Sequence, residues 1–430
     1  MDKLLMLGSC KGGKEILDEA RRRDIYTIIA DNCEIEESRF RVQADERWMV
    51  DTSEIDLLER KCRENRVTAV INAISTFNVG VAMELSKRLN LPCYCAPSAW
   101  NYTINKFDFK ELCRNNGVPV AQEYTAGNLS TGGVFSNIDY PVVVKAVDQS
   151  ANRGMSYCYS KEELIPAIKL AQSVSKSDRV IIERMLDGIE YGAHYALADG
   201  KASMFAFVSM LSQPGEPGNC YSITTTVANH LDKYLREIDP FFQKALSSGG
   251  MREGVAWIEM ILDRDGHFYV LEMGYRMSGD MMAIPLKNVT GFDSYQWLLD
   301  ISMGIQHTEA DLPKSQTALY RRSGCSYILW SKEAGEISSI IGIPAVKEKH
   351  PEVQIIYDVH EGDRCRKNQY LITFVFDSAD VYGMCNTIRN INEKVRILND
   401  KGDSIAIYYD DFDAISSMLD EATDNAPVNR

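Results

Sequence analysis

The stretch Val255-Ala256-Trp257-Ile258-Glu259-Met260-Ile261-Leu262-Asp263-Arg264-Asp265-Gly266-His267-Phe268-Tyr269-Val270-Leu271-Glu272-Met273-Gly274-Tyr275-Arg276 carries the most information in this chain. Two runs rich in Val, Ile, Tyr, Phe and Trp flank Asp263-Arg264-Asp265-Gly266. Asp-Gly between apolar runs signals a β-hairpin. A two-residue Asp265-Gly266 loop sets Glu259 directly opposite Glu272. A four-residue loop from Arg264 to His267 keeps that register, and a three-residue loop breaks it. Facing carboxylates repel, and a divalent cation turns the repulsion into coordination, with Mg²⁺ favouring carboxylate oxygens shared with phosphates. Alternation puts Arg276 on the same face as Glu272. The hairpin reads either as two metal-binding acids followed by an anion-binding base, or as a half-solvated hairpin with a charged face.

Working outward, 430 residues suffice for two to four domains. Hydrophobic content of 45% and charged content of 25% are those of an ordinary globular protein. A net charge of −14 argues against a nucleic-acid or anionic-membrane surface. No apolar run approaches a membrane span and the N-terminal apolar run is too short for a secretory signal, so the expected compartment is the cytoplasm. Eleven scattered cysteines without a Cys-x-x-Cys pair read as small buried residues, and six unclustered histidines argue against a transition-metal site.

At the N-terminus, Lys3–Leu7 reads as a buried strand, followed by a glycine-rich turn, an amphipathic helix to about Arg23 and a second strand Ile25–Ala30. This βαβ unit begins a parallel sheet. Trp48–Val50, Val67–Ala73 and Pro92–Cys95 add strands, with helices at Glu54–Asn65 and Asn78–Leu89. Gly8 to Lys14 has the Gly and Lys positions of a phosphate loop, but Glu15 stands where a hydroxyl is required, which favours a plain strand-to-helix turn. The Gly8–Lys14 loop could still line a substrate site, as could Ser75-Thr76 after the fourth strand, because ligands bind at the carboxyl ends of parallel strands.

Asn105–Asn116 is expected to be a helix capped by Asn105 and closed by Gly117. Tyr140–Val147 is an apolar strand with Lys145 inside it, a costly place for an ammonium without an anion. The following loop through Ser150, Arg153 and Gly154 suits folding over phosphates. Lys161–Val174 reads as a helix and Val180–Glu183 as a strand leading to a loop, Arg184 to Glu190, in which Met185 and Leu186 could read an adenine and Glu190 ribose hydroxyls. A second Asp-Gly hairpin joins Tyr191–Ala198 to Ala202–Met210, and Ser212–Asn219 is a Pro/Gly loop that could act as a lid. Helices are expected near Pro240–Ser247 and Asp293–Met303. From Ser323 the chain becomes β-rich at Cys325–Trp330, Val353–Tyr357, Tyr370–Asp377 and Ser404–Tyr409, with helices near Asp380–Leu398 and Phe412–Ala422.

Taken in order, these segments resemble the ATP-grasp superfamily of carboxylate–amine ligases, in its L-amino-acid-ligase-like and biotin-carboxylase-like branch. Asn105-Lys106 with Gly117-Val118-Pro119 resembles the family's first helix. The resemblance implies that Lys106 and Lys145 contact phosphate, that Ser150 to Gly154 forms the lid, and that Glu183, Arg184, Leu186 and Glu190 belong to the adenine and ribose hinge. It further implies that Glu259 and Glu272 bind metal and that Arg276 is the catalytic arginine steadying an acyl phosphate. Three positions depart: Asn105 replaces Asp, Ala146 stands where Pro is frequent, and Gly274 replaces an Asn that ligates a second metal. The implied fold is α/β and α+β. A doubly wound parallel domain over residues 1–103 precedes a two-lobed ATP-grasp domain over 104–320, with its small lobe at about 120–187. An α+β module follows over 321–430.

The implied activity joins a small carboxylate or amino acid to an amine, with ATP and Mg²⁺ (or Mn²⁺) as cofactors and ADP and phosphate as products. Expected partners are the two small substrates, without nucleic acid or membrane, and a homodimer is compatible with the reading. Rival readings are a bicarbonate-using carboxylase, a degenerate ATP-binding regulator and, from the first βαβ unit alone, a nicotinamide oxidoreductase. Met277-Ser278-Gly279-Asp280 lacks the Gln-Val-Glu-His run usual in biotin carboxylases, which favours amide formation.

Overall fold

The computed structural model describes residues 1–124, 138–149, 153–215 and 220–424. Strands Lys3–Leu7, Tyr26–Asp31, Glu46–Met49 and Ala69–Ile71 form a parallel sheet in the order third, second, first, fourth. Leu4, Leu5, Met6 and Leu7 are all fully buried, because helices cover both faces of such a sheet. The expected strand at Pro92–Cys95 does not form. Pro92 has no N–H to give a ladder, and the Tyr94 carbonyl instead accepts from the Tyr275 hydroxyl at 3.0 Å. A helix at Pro97–Ile104, absent from the sequence reading, follows directly.

In the Gly8-to-Lys14 turn, Cys10, Lys11, Gly12 and Lys14 line a cavity of about 990 Å³. Gly8 and Gly12 sit at φ of 73° and 74°, a region that favours glycine. The Ser9 N–H donates to the Asp31 carboxylate at 2.6 Å. Lys11 is buried in an ion pair with Asp358, 2.7 Å away, which ties this turn to the far end of the chain.

The next lobe is an antiparallel sheet of Glu123–Tyr124, Val180–Arg184, Val142–Ala146 and Ser156–Cys158, in that order. Helix Lys161–Val174 covers one face with Leu164, Ala167, Ile168 and Ala171. Among the described residues, Gly335–Glu336 with Arg364–Cys365, and Ser339–Ile341 with Arg396–Leu398, form two small ladders, and nine further strands form one large antiparallel sheet. Its order is Phe268–Gly274, Gly254–Asp263, Gly188–Ala198, Lys201–Ser212, Tyr221–Thr225, Ser323–Ser331, Tyr370–Ser378 and Gln354–Tyr357, with Ala406–Ile407 also pairing Ser323–Ser331.

The C-terminal strands therefore continue the central sheet, through Tyr221–Thr225 pairing Ser323–Ser331. That strand, and helix Leu231–Glu237, were not foreseen. The helix expected to reach Leu398 ends at Lys394, and Arg396–Leu398 is a strand instead. Among the described residues no helix is long and apolar enough to cross a membrane.

The opening hairpin has the expected facing pair by an unexpected route. Asp263 N–H donates to the His267 carbonyl at 3.0 Å, leaving a three-residue Arg264–Gly266 loop, with Gly266 at φ 81°. That loop alone would shift the register. A bulge between Glu259 and Met260 restores it, because Met260 pairs Val270 and Glu259 pairs Glu272, leaving Leu271 extra. The bulge turns both Leu271 and Glu272 toward one cavity.

Candidate active site

Between the small lobe and the large sheet lies a cavity of about 690 Å³. Lys106, Lys145, Glu183, Arg184, Leu186, Glu190, Glu259 and Glu272 all line it, alongside apolar Met155, Met185, Ile189, Met210 and Ile261. Residues more than 160 positions apart in sequence meet here: the Lys106 ammonium lies 2.5 Å from a Glu272 oxygen. Asn105 positions that lysine by capping its helix, with its side-chain oxygen accepting from the Phe107 and Asp108 N–H groups at 3.1 and 3.3 Å.

The roof of the cavity is a buried charge triad. Glu183, 3% exposed, is held between the ammoniums of Lys145 and Lys110. Burial alone would raise its carboxyl, but the two lysines prevail and hold it at about 2. Burial lowers the Lys145 ammonium, and Lys110 and Lys106 push the same way against Glu183. Glu183 therefore orients Lys145, and its carboxylate is not free to read a base. Lys110 was missed by the sequence reading, although it is one helical turn beyond Lys106 on the same face. The Arg184 guanidinium is likewise committed, to Asp263 at 2.9 Å and Asp265 at 3.3 Å, over the Tyr269 ring.

The floor is acidic. In the register, Glu259 faces Glu272, and Glu190 lies beside Ile261, the next residue of that face. Burial and then repulsion from Glu272 raise Glu190 to about 8. Burial, Glu272 and Glu190 together push Glu259 well above the usual carboxylate range, with Lys106 opposing. Glu272 goes the other way: burial raises it, but its direct ion pair with Lys106 leaves it lowered. Among the described residues no group of three or more His, Cys, Asp and Glu is arranged to hold a metal by itself.

Arg276 lies beyond the cavity lining. Its Nε donates to Thr76 Oγ1 at 3.0 Å and its Nη1 to the Met277 carbonyl at 2.7 Å. Thr76, at the carboxyl end of a parallel strand, thus joins the N-terminal sheet to the site. Met277 N–H donates to the Ala73 carbonyl at 2.9 Å and locks that junction. Gly154 does not line the cavity. It turns at φ 74° against helix Lys161–Val174, where an added Cβ would stand 2.4 Å from a Val174 methyl. Ser150 lies outside the described residues, as do 216–219 of the expected Ser212–Asn219 lid; Arg153 lines the cavity.

The family profile for the carbamoyl-phosphate synthase L chain, ATP binding domain, matches residues 105–310. Formate-dependent phosphoribosylglycinamide formyltransferase of Prochlorococcus marinus (strain NATL1A) is 27% identical over 190 residues, 43% of this chain and 48% of that protein. The chain spans about half the length of the curated formyltransferases it matches. The crystal structure of L-amino acid ligase from Bacillus licheniformis superposes with a TM-score of 0.74 at 19% identity, covering 93% of this chain and 99% of that one. The biotin carboxylase domain of the Hydrogenobacter thermophilus 2-oxoglutarate carboxylase, solved with MgADP, ADP and bicarbonate, gives a TM-score of 0.72 at 15% identity, covering 92% and 90%. Both likenesses concern the fold, whose parallel N-terminal sheet and large antiparallel sheet they share. Residues 105–310, with the cavity between their two lobes, belong to the ATP-grasp family.

Proposed function

We propose that the protein is an ATP-dependent ligase that joins a small carboxylate to an amine, releasing ADP and phosphate. One observation carries this reading: two lysines and two facing glutamates converge on a single cavity with an apolar wall, from elements spread between Lys106 and Glu272. A nucleoside triphosphate needs that combination, an apolar slot for its base, cations for its phosphates and acids for its metal.

The donor set fits Mg²⁺. Glu259 and Glu272 face each other, and burial, then Glu272 and Glu190, raise Glu259 well above its ordinary range against Lys106. Mg²⁺ commonly binds through one or two carboxylates plus phosphate oxygens, so a third protein ligand is not required. Bound there, the ion would neutralise phosphate charge. Everything else falls to the chain's own residues. Lys145, fixed by Glu183, and Lys106, exchanging Glu272 for phosphate, would hold the triphosphate. Glu190 would accept from ribose hydroxyls, and Met185, Leu186 and Met210 would flank the base.

Arg276, fixed by Thr76, would hold the acid so that its oxygen attacks the γ-phosphorus as the bond to ADP breaks. The amine nitrogen then attacks the acyl carbon, the bond to phosphate breaks, and loss of a proton from nitrogen leaves the amide and free phosphate. Both steps depend on in-line placement and charge neutralisation more than on a strong nucleophile. An acyl phosphate hydrolyses in water, and the partly enclosed cavity between the lobes limits that loss.

The test is ADP release with Mg·ATP across a panel of amino acids, small carboxylates and bicarbonate, each with and without amines. Release that needs both an acid and an amine is the expected result. Release with bicarbonate alone would assign a carboxylase, and ATP binding without release under any pair would assign a nucleotide-binding regulator.

A further inference from the structure

The residue facing Gly274 across the hairpin is Trp257. The two are shaped for each other. A Cβ added at Gly274 would stand 2.4 Å from indole Cε2 and 2.6 Å from Nε1, so the pyrrole edge of Trp257 lies where a side chain of residue 274 would project. Trp257 is 6% exposed, yet its Nε1 is buried without a hydrogen-bond partner. A buried indole N–H usually finds an acceptor, and leaving one unmade is costly. The Arg276 guanidinium stacks over the same ring, 5.2 Å from its centroid. With Nε and Nη1 of Arg276 already engaged, its Nη2 has no hydrogen bond among the described residues.

Strand geometry says what the missing acceptor is. Side chains on one face recur every second residue, about 7 Å apart. The Glu259–Glu272 pair is followed on that face by the Trp257–Gly274 pair, and then by Arg276. A phosphate chain anchored by Lys106 and Lys145 over the first pair and running toward Arg276 must cross the second. With no side chain at 274, the indole edge itself covers that crossing and brings its buried, unpaired N–H there.

We propose that Trp257 Nε1–H is a hydrogen-bond donor to the terminal phosphoryl group of the bound triphosphate, acting with Arg276 as a two-donor clamp that distinguishes triphosphate from diphosphate. The proposal rests on the ATP-site reading above and adds a positioning residue to it. Trp257 takes over by direct donation a place that glycine leaves without a ligand of its own.

The test compares wild type with Trp257→Phe, which fills most of the space and removes the N–H. Calorimetry measures affinity for Mg·ADP and for the Mg complex of the β,γ-imido analogue of ATP. The variant should lose roughly tenfold to a hundredfold for the triphosphate analogue, as for a hydrogen bond to a charged group, and keep its ADP affinity. In parallel, ¹⁵N-indole spectra of wild type contain signals from five tryptophans, and the one absent from the variant identifies Trp257. That signal should move downfield with the triphosphate analogue and stay in place with ADP. Equal losses for both nucleotides, or no loss with an unmoved signal, overturns the clamp while leaving the ATP site standing. Wild type that binds neither nucleotide overturns the ATP site and the clamp together. If the variant fails to fold, adding the analogue to wild type decides the matter: a downfield shift of one indole signal that ADP does not reproduce supports the clamp, and no such shift overturns it.

Discussion

Lys110→Met is the sharpest test of the roof of the site. Lys110 is fully buried and holds Glu183 against Lys145, with Glu123 a further 3.4 Å contact. A carboxylate titrating at about 2 rather than 4.5 carries about 3.4 kcal/mol of native-state stabilisation at neutral pH, at about 1.4 kcal/mol for each tenfold. That figure is net of the burial penalty, so the two lysines together supply more than it, and about 1.7 kcal/mol is the least that an even division assigns to Lys110. Removing one partner of a buried ion pair costs about 3–5 kcal/mol when nothing else compensates. Lys145 compensates in part, and the expected loss is about 2–4 kcal/mol.

The sign with pH is fixed by direction. The folded value of Glu183 lies below its unfolded value, so its contribution is present above about 4.5 and is lost as pH falls toward about 2. Urea unfolding followed by tryptophan fluorescence, at pH 7 and again at pH 3, should show a gap between wild type and variant that narrows by about a third or more in acid. The double variant Lys110→Met with Glu183→Gln should be less destabilised than the sum of the singles, by at least about 1 kcal/mol. A gap below about 0.5 kcal/mol at pH 7, or one that does not change with acid, would refute the buried-triad account.

Four other outcomes follow from the same contacts. Glu272→Gln should abolish Mg²⁺-dependent ADP release while circular dichroism stays unchanged; undiminished release would remove the metal assignment. Lys145→Ala should weaken ATP binding by roughly tenfold or more, as for a lost charge-assisted hydrogen bond, read by calorimetry. Gly274→Asn should lower stability by about 1–3 kcal/mol through overpacking against Trp257, and Trp257→Ala in the same chain should recover part of it; a Gly274→Asn protein melting like wild type would contradict the packing. Glu190 titrates at about 8 when folded and nearer 4.5 when unfolded, so stability of the ligand-free protein should fall as pH rises across that window. Glu190→Gln should flatten the thermal midpoint over that range, and a parallel fall in both proteins would place the effect elsewhere.

What the sequence made legible was periodic. The Asp-Gly turn set Glu259 opposite Glu272, alternation added Arg276 to that face, and a lysine among valines marked Lys145 as a cation in need of an anion. What stayed hidden depends on contacts distant in sequence. The three-residue loop and the bulge cancel in register, so the correct pairing of Glu259 with Glu272 conceals two compensating departures. Lys110 has a readable helical spacing from Lys106, but its partner Glu183 is 73 residues away. Gly274 looked like a missing ligand because a sequence does not show that the indole of Trp257 covers it. The continuation of the central sheet into the C-terminal strands hangs on Tyr221–Thr225, a short strand directly after a Pro/Gly loop, where local pattern is weakest.

The charges of the site explain why Lys106 sits where it does. Three acids share the floor, and among the described residues only Glu272 has a cation in direct contact. Lys106 lies directly against Glu272, and its own ammonium is raised despite burial because Glu272, Glu183 and Glu259 all favour its charge. It acts as a placeholder for positive charge. A nucleotide arriving without a divalent ion would draw Lys106 toward its phosphates and leave Glu259 and Glu272 facing each other uncompensated. The metal complex supplies phosphate and counter-charge together and avoids that repulsion. Thermal stabilisation by ATP should therefore be small in excess chelator and large with Mg²⁺, while in Glu259→Gln, whose floor has one charge fewer, the two should converge. Equal stabilisation of wild type by ATP with and without the ion would show that the facing acids do not feel each other, and the account of the floor would fall with them.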